Sequence, residues 1–587
     1  MMKLYSINSP SRLFTGFWQL LLLLSLPAMA QTGKGDRIYG SNFATRSPVV
    51  AQHGMVATAH PLASQVGLDI LKQGGSAIDA AIAANAALGV LEPNNCGIGG
   101  DLFAIVWSAK DQKLYGLNAS GRSPGGLKTE KLKTILNDGK AIPLYGPLSV
   151  SVPGAVDGWF ELHKRFGKLP MKSLLAPGIR YAREGAPVPQ VIAYSWQEAV
   201  RRLEANRSTI QEFENFRRTF LINHQVPKAG QLFKNPDLAK TYEKIALGGR
   251  DAFYKGTIAN AIDQYARKTG LYLRKEDLAR HTSTWVNPIS VNYRGYEVYE
   301  LPPNGQGITV LQMLNLLKTY DLKQLGHNSA NYLHLLTEVK KLAFEDRARY
   351  FADPEFSKIP LTWLLSEKYA TQRRKLIDPK QAAKRIDSNV PPLREGDTTY
   401  LTVADDEGNI ISLIQSNMLE FGSGLVPDGL GFVFHNRGTS FNLQAGHANE
   451  YKPGKRPFNT IIPAFVMKNG EPFLSFGVMG GAFQPQGQVQ ILCNLIDFGM
   501  NVQEAGDAAR FSHSGSSEPI GTIMLDGGHL ALESGISKEV RDELERRGHH
   551  LIPSDFFGGY QAILFDSTNR VYHGASEMRK DGQAAGY

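Results

Sequence analysis

The chain has 587 residues and a formal net charge of +9, with 42% hydrophobic and 20% charged residues. These proportions are typical of a soluble globular protein and argue against a fibrous or largely disordered chain. The lysines and arginines are spread along the sequence rather than clustered with aromatic residues, so nothing in the charge indicates a protein that binds nucleic acid.

The N-terminus has the pattern of an export signal. Lys3 and Arg12 precede the apolar run "LFTGFWQLLLLLSLP", and "AMAQ" then supplies an Ala-x-Ala site, which predicts cleavage after Ala30. The apolar run is short for a membrane span and no stop-transfer pattern follows it, so an uncleaved anchor is the weaker alternative. We therefore expect residues 1–30 to be a signal peptide and the mature protein to be periplasmic or secreted.

Helical periodicity dominates the part of the chain before residue 398. "LASQVGLDILKQGGSAIDAAIAANAALGVLEP" predicts two helices, the first ending at Gly74-Gly75 and the second running from the N-cap Ser76 to Leu91. Other helices are predicted at "VDGWFELHKRF", "LAPGIRYAREG", "TIANAIDQYARK" and "NYLHLLTEVKKLAFEDRARYF". Strands are predicted in "NNCGIGGDLFAIVW" and "QKLYGLNASGRSP", and "VYELPPNGQGITVLQMLNLL" predicts a strand, a turn and a helix.

Strand patterns dominate after residue 398. A hairpin opens this part in "TTYLTVADDEGNIISLIQ", and "YQAILFDSTNRVYHGAS" predicts another near its end. Further strands are predicted at "GLGFVFHN", "IIPAFVMKNGEPFLSFGV" and "GTIMLDG", with helices at "PQGQVQILCNLIDFG" and "SKEVRDELERRG". Because strands and helices occur in both parts, the pattern predicts stacked sheets covered by helices.

Cysteine and histidine usage gives no sign of a metal site. Cys96 and Cys493 lie far apart in apolar or glycine-rich surroundings. Export permits a disulfide, but two buried free thiols are the preferred interpretation. No zinc or calcium spacing is present, and "RRGHHL" indicates the end of a helix rather than a metal site. We expect no metal and no cofactor.

Paired threonines begin the strand that opens the later part of the chain. Thr398 and Thr399 follow the charged, proline-bearing stretch "RIDSNVPPLREGD", which we expect to be an exposed loop. A hydroxyl is a weak nucleophile, but a threonine at a chain terminus can use its own α-amine as the base. That chemistry requires a cut between Asp397 and Thr398. By themselves, two threonines at the start of a strand indicate only β-propensity.

The sequence around that bond, "GDTTYLTVADDEGN", resembles the processing site of the γ-glutamyltransferase family, whose precursors cleave themselves before a threonine. Other blocks of the family are matched in the same order by "GMVATAHPLASQVGLDILKQGGSAIDAAIAA", "SVPGAVDGW", "ELPPNGQGITVLQML", "AFEDRARYFADP", "KRPFNTIIPAFV", "VMGG" and "GASEMRKDGQAAGY". The resemblance covers about residues 48–587.

This resemblance implies an architecture and a maturation. The fold would be α+β, a four-layer αββα sandwich of the N-terminal nucleophile hydrolase type, built from both halves of one precursor. Cleavage between Asp397 and Thr398 would give a large subunit of residues 31–397 and a small subunit of residues 398–587, which together form a heterodimer.

The resemblance also implies the catalytic residues. Thr398 would be the nucleophile, Ser416 would orient its hydroxyl, and Thr399 is the second threonine after the cut. Gly480 and Gly481 in "VMGG" match the oxyanion hole of the family, where backbone N–H groups meet the developing negative charge. The alternative for these two glycines is a plain tight turn.

Substrate contacts are implied at two further motifs. Arg122 in "NASGRSP" matches the arginine that binds a substrate carboxylate, a role that suits the guanidinium fork. The alternative is an arginine in a surface ion pair. Asn459 and Thr460 in "KRPFNT" replace the paired serines of the family and can still donate hydrogen bonds to a carboxylate.

Several positions depart from the pattern of the family. Tyr400 replaces a histidine, and Met418 replaces an asparagine that helps to hold the α-amino group of the substrate, although Asn417 is adjacent. Arg437 and Ser440 in "HNRGTSF" stand where relatives carry a neutral or acidic residue and an aspartate. A site with this cation and no anion would disfavour a substrate ammonium, so we expect a donor such as a glutaryl amide.

The predicted function is therefore that of an exported, self-processing threonine amidohydrolase or acyltransferase. It would cleave γ-glutamyl or glutaryl-like side-chain amides through an acyl-enzyme on Thr398 and pass the acyl group to water or to an amino acid or peptide. Two alternatives stay open: a true glutathione γ-glutamyltranspeptidase with a different contact for the amine, and an unprocessed binding protein on the same fold. No stable membrane span and no nucleic-acid partner are expected.

Overall fold

Two seven-stranded antiparallel sheets form the centre of the unit Arg46–Tyr587. The structure is a computed structural model that describes residues 40–137, 139, 141–386 and 398–587. The predicted signal peptide and Asp397 lie outside the described residues.

The strands are numbered in chain order. They are β1 (Val49–Ala51), β2 (Met55–Thr58), β3 (Asp101–Ser108), β4 (Lys113–Ala119), β5 (Ala186–Pro187), β6 (Leu232–Phe233), β7 (Thr284–Val286), β8 (Ile289–Tyr293), β9 (Tyr296–Glu300), β10 (Thr399–Ala404), β11 (Ile410–Ser416), β12 (Ala464–Lys468), β13 (Glu471–Met479), β14 (Phe511–Ser514), β15 (His529–Leu532), β16 (His550–Leu551), β17 (Gly559–Asp566), β18 (Val571–Ser576) and β19 (Gln583–Gly586).

The α-helices of the described residues are numbered in the same way. They are α1 (Pro61–Lys72), α2 (Ala77–Leu91), α3 (Thr129–Ile135), α4 (Ala155–Phe166), α5 (Met171–Glu184), α6 (Gln190–Ala205), α7 (Phe213–Phe220), α8 (Pro236–Tyr254), α9 (Thr257–Thr269), α10 (Lys275–Arg280), α11 (Gly307–Leu317), α12 (Leu322–Leu325), α13 (Ala330–Tyr350), α14 (Leu361–Leu364), α15 (Glu367–Arg374), α16 (Gln484–Ile496), α17 (Val502–Asp507) and α18 (Lys538–Arg546).

Both large sheets combine strands from before and after residue 398. One sheet has the order β1-β18-β17-β13-β12-β9-β8, and the other has the order β19-β2-β10-β11-β3-β4-β7. Strand β10 pairs with β11 on one side and with β2 on the other. Neither part of the chain therefore contains a complete sheet of its own, which confirms the prediction that both halves build one fold.

Side-chain alternation in β10 explains why the sheets are stacked. Tyr400 and Ala404 point into a core between the two sheets, whereas Leu401 and Val403 point into a core under the helices. Each large apolar side chain that is buried in this way stabilises the fold by about 1.5–3 kcal/mol. Because both faces of the strand are apolar, the strand requires a layer on each side, and the fold is a helix–sheet–sheet–helix sandwich as predicted.

Helix α2 shows how the covering layer fits against the sheet. Ser76 caps it by accepting from the backbone of Asp79, whose carboxylate accepts from the backbone of Ser76 in return. Every residue of Ala77–Leu91 is buried. The alanine-rich sequence permits this close packing because small side chains let the helix approach the strands on one side and other helices on the other.

Most predicted elements are present, and two predicted strands are wrong. "GLGFVFHN" forms no regular strand, because Gly429 and Gly431 adopt positive φ angles of 65° and 71° and break the pleat. In "GTIMLDG", Thr522 makes a single bridge to Glu518 and the segment stays irregular. The prediction that "RRGHHL" ends a helix is confirmed, since α18 stops at Arg546.

Cys96 and Cys493 are both buried free thiols, as predicted. A search of the described residues for helices that are long and apolar enough to cross a membrane found none.

Candidate active site

Three neighbouring strands bring the predicted nucleophile to one end of a sheet. Thr398 directly precedes β10, and Ser416 ends β11, which pairs with β10 in antiparallel register. Asp101 begins β3 and is the cross-strand partner of Ser416. All three side chains are buried. The register of the sheet therefore lines up two hydroxyls and one carboxylate.

Two described residues contact the Thr398 hydroxyl, one as an acceptor and one as a donor. The hydroxyl donates to Ser416 Oγ over 3.3 Å and accepts from Gln484 Nε2 over 3.4 Å. Ser416 Oγ also accepts from the backbone N–H of Met418 over 2.8 Å. Gln484 is itself held by the backbone N–H of Ile462, which donates to its side-chain oxygen over 3.1 Å. Ser416 and Gln484 are thus both fixed by backbone contacts, which orients the Thr398 hydroxyl.

Thr399 turns away from this site. Its hydroxyl donates to Glu92 Oε2 over 2.8 Å, and Glu92 Oε1 accepts from Asn95 Nδ2 over 2.8 Å. Both Thr399 and Glu92 are buried. The contact anchors the first residue of β10 to the end of α2 and so fixes the position of Thr398.

Gly480 and Gly481 follow β13 in the opposite sheet and form a tight turn into α16. Their φ angles are +119° and +52°, a region that glycine enters without steric cost. A methyl group on Gly480 would lie 3.0 Å from the ring of Phe556. Gln484, which donates to Thr398, begins the helix after this turn. Only Ala482 and Phe483 therefore separate the turn from the side chain that contacts Thr398, so the turn lies close to the predicted nucleophile.

A buried polar network supports the turn from behind. Gln306 Nε2 donates to the carbonyls of Gly481 and Thr460 over 2.8 and 2.6 Å. Gln306 Oε1 accepts from Arg347, and Arg347 forms an ion pair with Glu518. Because the carbonyl of Gly481 is held in place, the peptide that follows β13 has one orientation.

A cavity of about 70 Å³ begins at Gly481. Four of the residues that sequence analysis singled out line it together: Met418, Ser440, Thr460 and Gly481. Its other walls are Lys340, Phe344, Phe458, Ala482, Phe483, Gln486, His513, Ser514, Gly515, Glu518 and Ile520.

Arg437 does have an anionic partner, which corrects the expectation of a cation without an anion. Its Nε donates to Asp101 Oδ2 over 3.3 Å, and its Nη1 donates to Thr460 Oγ1 over 2.9 Å. Asn459 Nδ2 donates to the same oxygen of Asp101 over 2.9 Å. Burial lowers the pKa of Arg437, and the charge of Asp101 opposes that effect. The charge of Asp101 therefore compensates the charge of Arg437. Asp101 begins β3, a strand that none of the quoted family motifs includes.

Arg122 lies in a different ion pair. Its Nη2 donates to both carboxylate oxygens of Glu355, over 2.8 and 3.1 Å, and Arg456 contacts the same carboxylate over 3.3 Å. The side chains of Arg122 and Glu355 are 24% and 50% exposed. The structure thus places Arg122 in a partly exposed pair, outside the set of residues that line the cavity at Gly481.

Asn417, which adjoins the departure at Met418, and the departure Tyr400 both have structural contacts. Asn417 Nδ2 donates to the carbonyl of Cys96 over 3.1 Å. The hydroxyl of Tyr400 shares a 2.7 Å hydrogen bond with Ser412, and burial raises the pKa of Tyr400. Tyr400 therefore fills the space between the sheets.

A larger cavity, of about 440 Å³, lies near Gly480. Phe556, the ring beside Gly480, and Gly558 line it. Its remaining walls are Leu144, Tyr145, Val191, Tyr194, Ser195, Glu198, Arg202, Leu419, Glu420, Asp555, Phe557, Arg579 and Lys580. The Gly480–Gly481 turn thus lies close to a small cavity and to a larger one with aromatic and charged walls.

One buried group among the described residues has the composition of a metal site: His334, Glu338 and His549. His334 Nδ1 and His549 Nε2 are hydrogen-bonded over 2.8 Å, and Glu338 Oε1 accepts from Lys341 Nζ over 2.7 Å. The two imidazoles are therefore bonded to each other, and Glu338 is paired with the Lys341 ammonium.

Asp101, Gln306, Lys340 and Gln484 were not predicted as site residues. Gln306 lies inside the quoted block "ELPPNGQGITVLQML", so a sequence signal existed for it. Asp101 begins a predicted strand and Lys340 lies within a predicted amphipathic helix, where either side chain is ordinarily solvated. Only the tertiary fold brings these residues to the site.

Comparisons with known proteins agree with this geometry. A family model described as Gamma-glutamyltranspeptidase matches residues 63–587. The Glutathione hydrolase-like YwrD proenzyme of Bacillus subtilis (strain 168) is 36% identical over 550 residues, which are 92% of this chain and 99% of that protein. The Acylase ACY 1 proenzyme of Pseudomonas sp. (strain SE83) is 34% identical over 546 residues, 92% of this chain and 94% of that protein.

A solved structure is similar over the same range. The cephalosporin acylase from Bacillus halodurans superposes with a TM-score of 0.85 and 42% sequence identity, and the match covers 94% of this chain and 99% of that chain.

Proposed function

This chain belongs to the γ-glutamyltranspeptidase family, and from that premise we propose that it is an amidohydrolase or acyltransferase that activates itself by cleavage before Thr398. One observation carries the proposal. The hydroxyl of Thr398 lies directly before strand β10, between Ser416 and Gln484. A glycine turn of positive φ lies at the end of the opposing sheet. Relatives of this chain bear the names glutathione hydrolase and acylase, with the word proenzyme in both.

Self-cleavage follows from the position of that hydroxyl. Thr398 Oγ attacks the carbonyl carbon of Asp397, the peptide C–N bond breaks, and the nitrogen becomes the free α-amine of Thr398. Water then opens the resulting ester, which leaves the carboxylate of Asp397 and restores the hydroxyl. Ser416 and Gln484 orient the oxygen for the attack, since both lie within hydrogen-bond distance of it.

Catalysis on a substrate uses the same oxygen with its new base. The free α-amine of Thr398 accepts the hydroxyl proton while Oγ attacks the amide carbonyl. Backbone N–H groups at Gly480 and Gly481 stabilise the oxyanion, the amine leaves with the proton, and an acyl-enzyme ester remains. Water or an acceptor amine resolves that ester. We propose that hydrolysis dominates over transfer.

The two cavities near the turn support a proposal for where the two halves of the amide bind. The cavity of about 70 Å³ at Gly481 takes the acyl group, and the cavity of about 440 Å³ beside Gly480 takes the amine. We propose γ-glutamyl or glutaryl-like amides as substrates. Thr460 and Ser440 line the acyl cavity. Arg437 and Asn459 both donate hydrogen bonds to Asp101 next to it. The resemblance to the family implies that Arg122 binds the substrate carboxylate.

A true glutathione transpeptidase and an unprocessed binding protein are the competing functions. The proposal further includes export, a cleaved signal peptide, and large and small subunits that stay together as a heterodimer. Shared strands in both sheets support that last point, because separation of the halves would unpair β10 from β2.

Intact mass of the purified protein together with hydrolysis of chromogenic acyl anilides tests the proposal. We expect two chains, one ending at residue 397 and the other beginning at residue 398, and we expect the protein to release aniline from the anilide. A single uncleaved chain without activity would favour the binding protein, and transfer to a dipeptide that exceeds hydrolysis would favour the transpeptidase.

A further inference from the structure

The side chain of Gln484 has one fixed orientation towards Thr398. Gln484 is fully buried at the first position of α16, and its Oε1 accepts from the backbone N–H of Ile462 over 3.1 Å. Because an amide oxygen can only accept, this contact assigns the two ends of the amide, and Nε2 is the atom that faces Thr398. That nitrogen donates to Thr398 Oγ over 3.4 Å.

The contacts of Thr398 Oγ with Ser416 and with Gln484 respond differently when the hydroxyl loses its proton. Thr398 is the donor to Ser416, so Ser416 has to turn its own O–H towards Thr398 before it can stabilise a negative oxygen. The amide of Gln484 already donates and needs no rearrangement. A hydrogen bond to an ionised acceptor is stronger than one between neutral groups. The contact with Gln484 therefore gains strength as negative charge develops on Oγ.

The length of the Gln484 contact leaves room for that gain. At 3.4 Å it is longer than the usual N–H···O distance of about 2.9–3.0 Å. Catalytic hydrogen bonds are often long in the resting protein and tighten only as the reaction proceeds. Interactions that are stronger in the transition state than in the resting state are the ones that accelerate a reaction. The geometry thus suits a donor that acts during the reaction, beyond its effect on the orientation of the resting hydroxyl.

The same short piece of chain carries the glycine turn. The carbonyl of Gly480 accepts from the backbone N–H of Phe483 over 2.8 Å, which closes the turn directly before Gln484. The carbonyl of Gly481 is held by Gln306. The N–H groups proposed for the substrate oxyanion and the amide that faces Oγ therefore belong to one rigid segment. Prealigned donors in buried surroundings are effective at stabilising charge that appears during a reaction.

We propose that Gln484 is a further catalytic residue, whose amide N–H stabilises negative charge on Thr398 Oγ while the acyl–oxygen bond forms and breaks. The proposal rests on the proposed function, in which Thr398 is the nucleophile. When Oγ attacks the amide, its proton passes to the α-amine and the oxygen becomes partly negative. When water opens the ester, the α-amine takes a proton from the water. The C–Oγ bond then breaks, its electron pair stays on Oγ, and the α-ammonium returns the proton to that oxygen.

Two substitutions of Gln484 test this role on glutaryl or γ-glutamyl p-nitroanilide, whichever the wild type cleaves faster. Methionine is of similar size but has no N–H group. We expect Gln484→Met to lower kcat by about 10- to 100-fold, the size of one hydrogen bond to a charged group, and to keep KM within about threefold of wild type.

Gln484→Glu gives a readout that a purely structural role would not move. Its carboxyl group donates to Oγ only while it is protonated. Division by the wild-type kcat at each pH removes the titration of the α-amine, which both proteins share. We expect this ratio to fall by about tenfold between about pH 5.5 and pH 8.5, as the buried carboxyl group ionises and the donor is lost.

Gln490→Glu is the matched control. Gln490 lies on the same helix and is also buried, and its Oε1 likewise accepts from a backbone N–H, that of Phe511, over 3.1 Å. Its Nε2 donates over 3.0 Å to the carbonyl of Phe511 rather than to Thr398. We expect the kcat of this variant, relative to wild type, to change by less than about threefold over the same pH range.

Self-cleavage is a second readout, because it uses the same oxygen before the α-amine exists. Intact mass over time should show Gln484→Met converting into two chains more slowly than wild type. A wild-type kcat in Gln484→Met would overturn the proposal, and this variant decides if Gln484→Glu does not fold. A Gln484→Glu ratio that is constant, or that rises with pH, would also overturn it. Failure of the wild type to cleave itself and to hydrolyse either anilide would instead refute the proposed function.

Discussion

The guanidinium of Arg437 donates to the carboxylate of Asp101 over 3.3 Å, and neither side chain is exposed to solvent. The pairing explains how an arginine can lie next to the candidate active site without leaving an uncompensated positive charge there. It also means that the two residues cannot be considered separately. A buried ion pair contributes little net stability, but loss of one partner leaves an uncompensated charge in the interior.

Replacement of Arg437 alone should therefore destabilise the fold. We expect Arg437→Met to lower the free energy of unfolding by about 3–5 kcal/mol, because the carboxylate of Asp101 stays buried without its cation. Among the described residues it keeps Asn459 and the Gly121 N–H as hydrogen-bond donors, with His435 Nδ1 3.9 Å away. Urea unfolding in an uncleaved Thr398→Ala background measures this. The double variant Asp101→Asn with Arg437→Met should recover part of the loss, and additive losses would show that the pair is not coupled.

Maturation should depend on the Thr398 hydroxyl. We expect Thr398→Ala to remain one chain without amidase activity, since the attacking oxygen is absent, whereas Thr398→Ser should still cleave. Intact mass and an anilide assay check both. A Thr398→Ala protein that is recovered as two chains would show that an external protease makes the cut.

Local patterns were sufficient to predict most of the fold. The cap at Ser76 and the helix to Leu91 follow from residues that contact each other within a few positions, and the predicted hairpin is β10 and β11. The apolar residues of "GLGFVFHN" are typical of a strand, and the sequence therefore predicts one there. Its glycines adopt positive φ, however, and no strand forms. Apolar character reports burial, and pairing also depends on backbone conformation.

From the sequence, only those site residues that lie within family motifs could be predicted. Thr398, Ser416 and the glycine pair came from motifs, and the structure brings them to the adjoining ends of two sheets. Lys340 was not predictable, because its partner His513 is 173 residues away in the sequence. Contacts over such separations are set by packing, which no local pattern encodes.

The positive φ of Gly480 makes this position sensitive to any side chain. We expect Gly480→Ala to lower kcat by about 10²–10³-fold with a smaller effect on KM, because the turn must shift and displace an N–H that we propose stabilises the transition state. A methyl group there would meet the Phe556 ring at 3.0 Å. Steady-state kinetics measure the change, and the additional substitution Phe556→Leu should restore some activity if steric conflict is the cause.

Acid should destabilise the protein through His549. Burial above all, with Lys341, His334 and Arg547 nearby, lowers its pKa to about 3, whereas an unfolded histidine has a pKa near 6.5. Between these values only the unfolded state binds the proton, so stability falls as the pH falls below about 6.5. The expected loss from this residue between pH 7.5 and 5.5 is about 1.4 kcal/mol.

His549→Gln isolates that contribution, because its amide can still donate to His334 Nδ1. Urea unfolding of the uncleaved Thr398→Ala protein with and without this substitution, at both pH values, gives the difference. Equal pH dependence in the two proteins would show that His549 is not held neutral by the fold.

A carboxylate at position 440 should change the choice of donor. Ser440 lines the acyl cavity with Met418 and Thr460, where an anion would favour the α-ammonium group of a γ-glutamyl donor. We expect Ser440→Asp to raise the kcat/KM ratio of γ-glutamyl to glutaryl p-nitroanilide by about 1.5–3 kcal/mol equivalent, the size of one hydrogen bond to a charged group. Asparagine has nearly the same shape as aspartate but no charge, so Ser440→Asn should leave the ratio within about threefold of wild type. A shift of equal size in both variants would assign the effect to shape. An unchanged ratio in Ser440→Asp would show that the α-carbon of the acyl group does not reach this wall of the cavity.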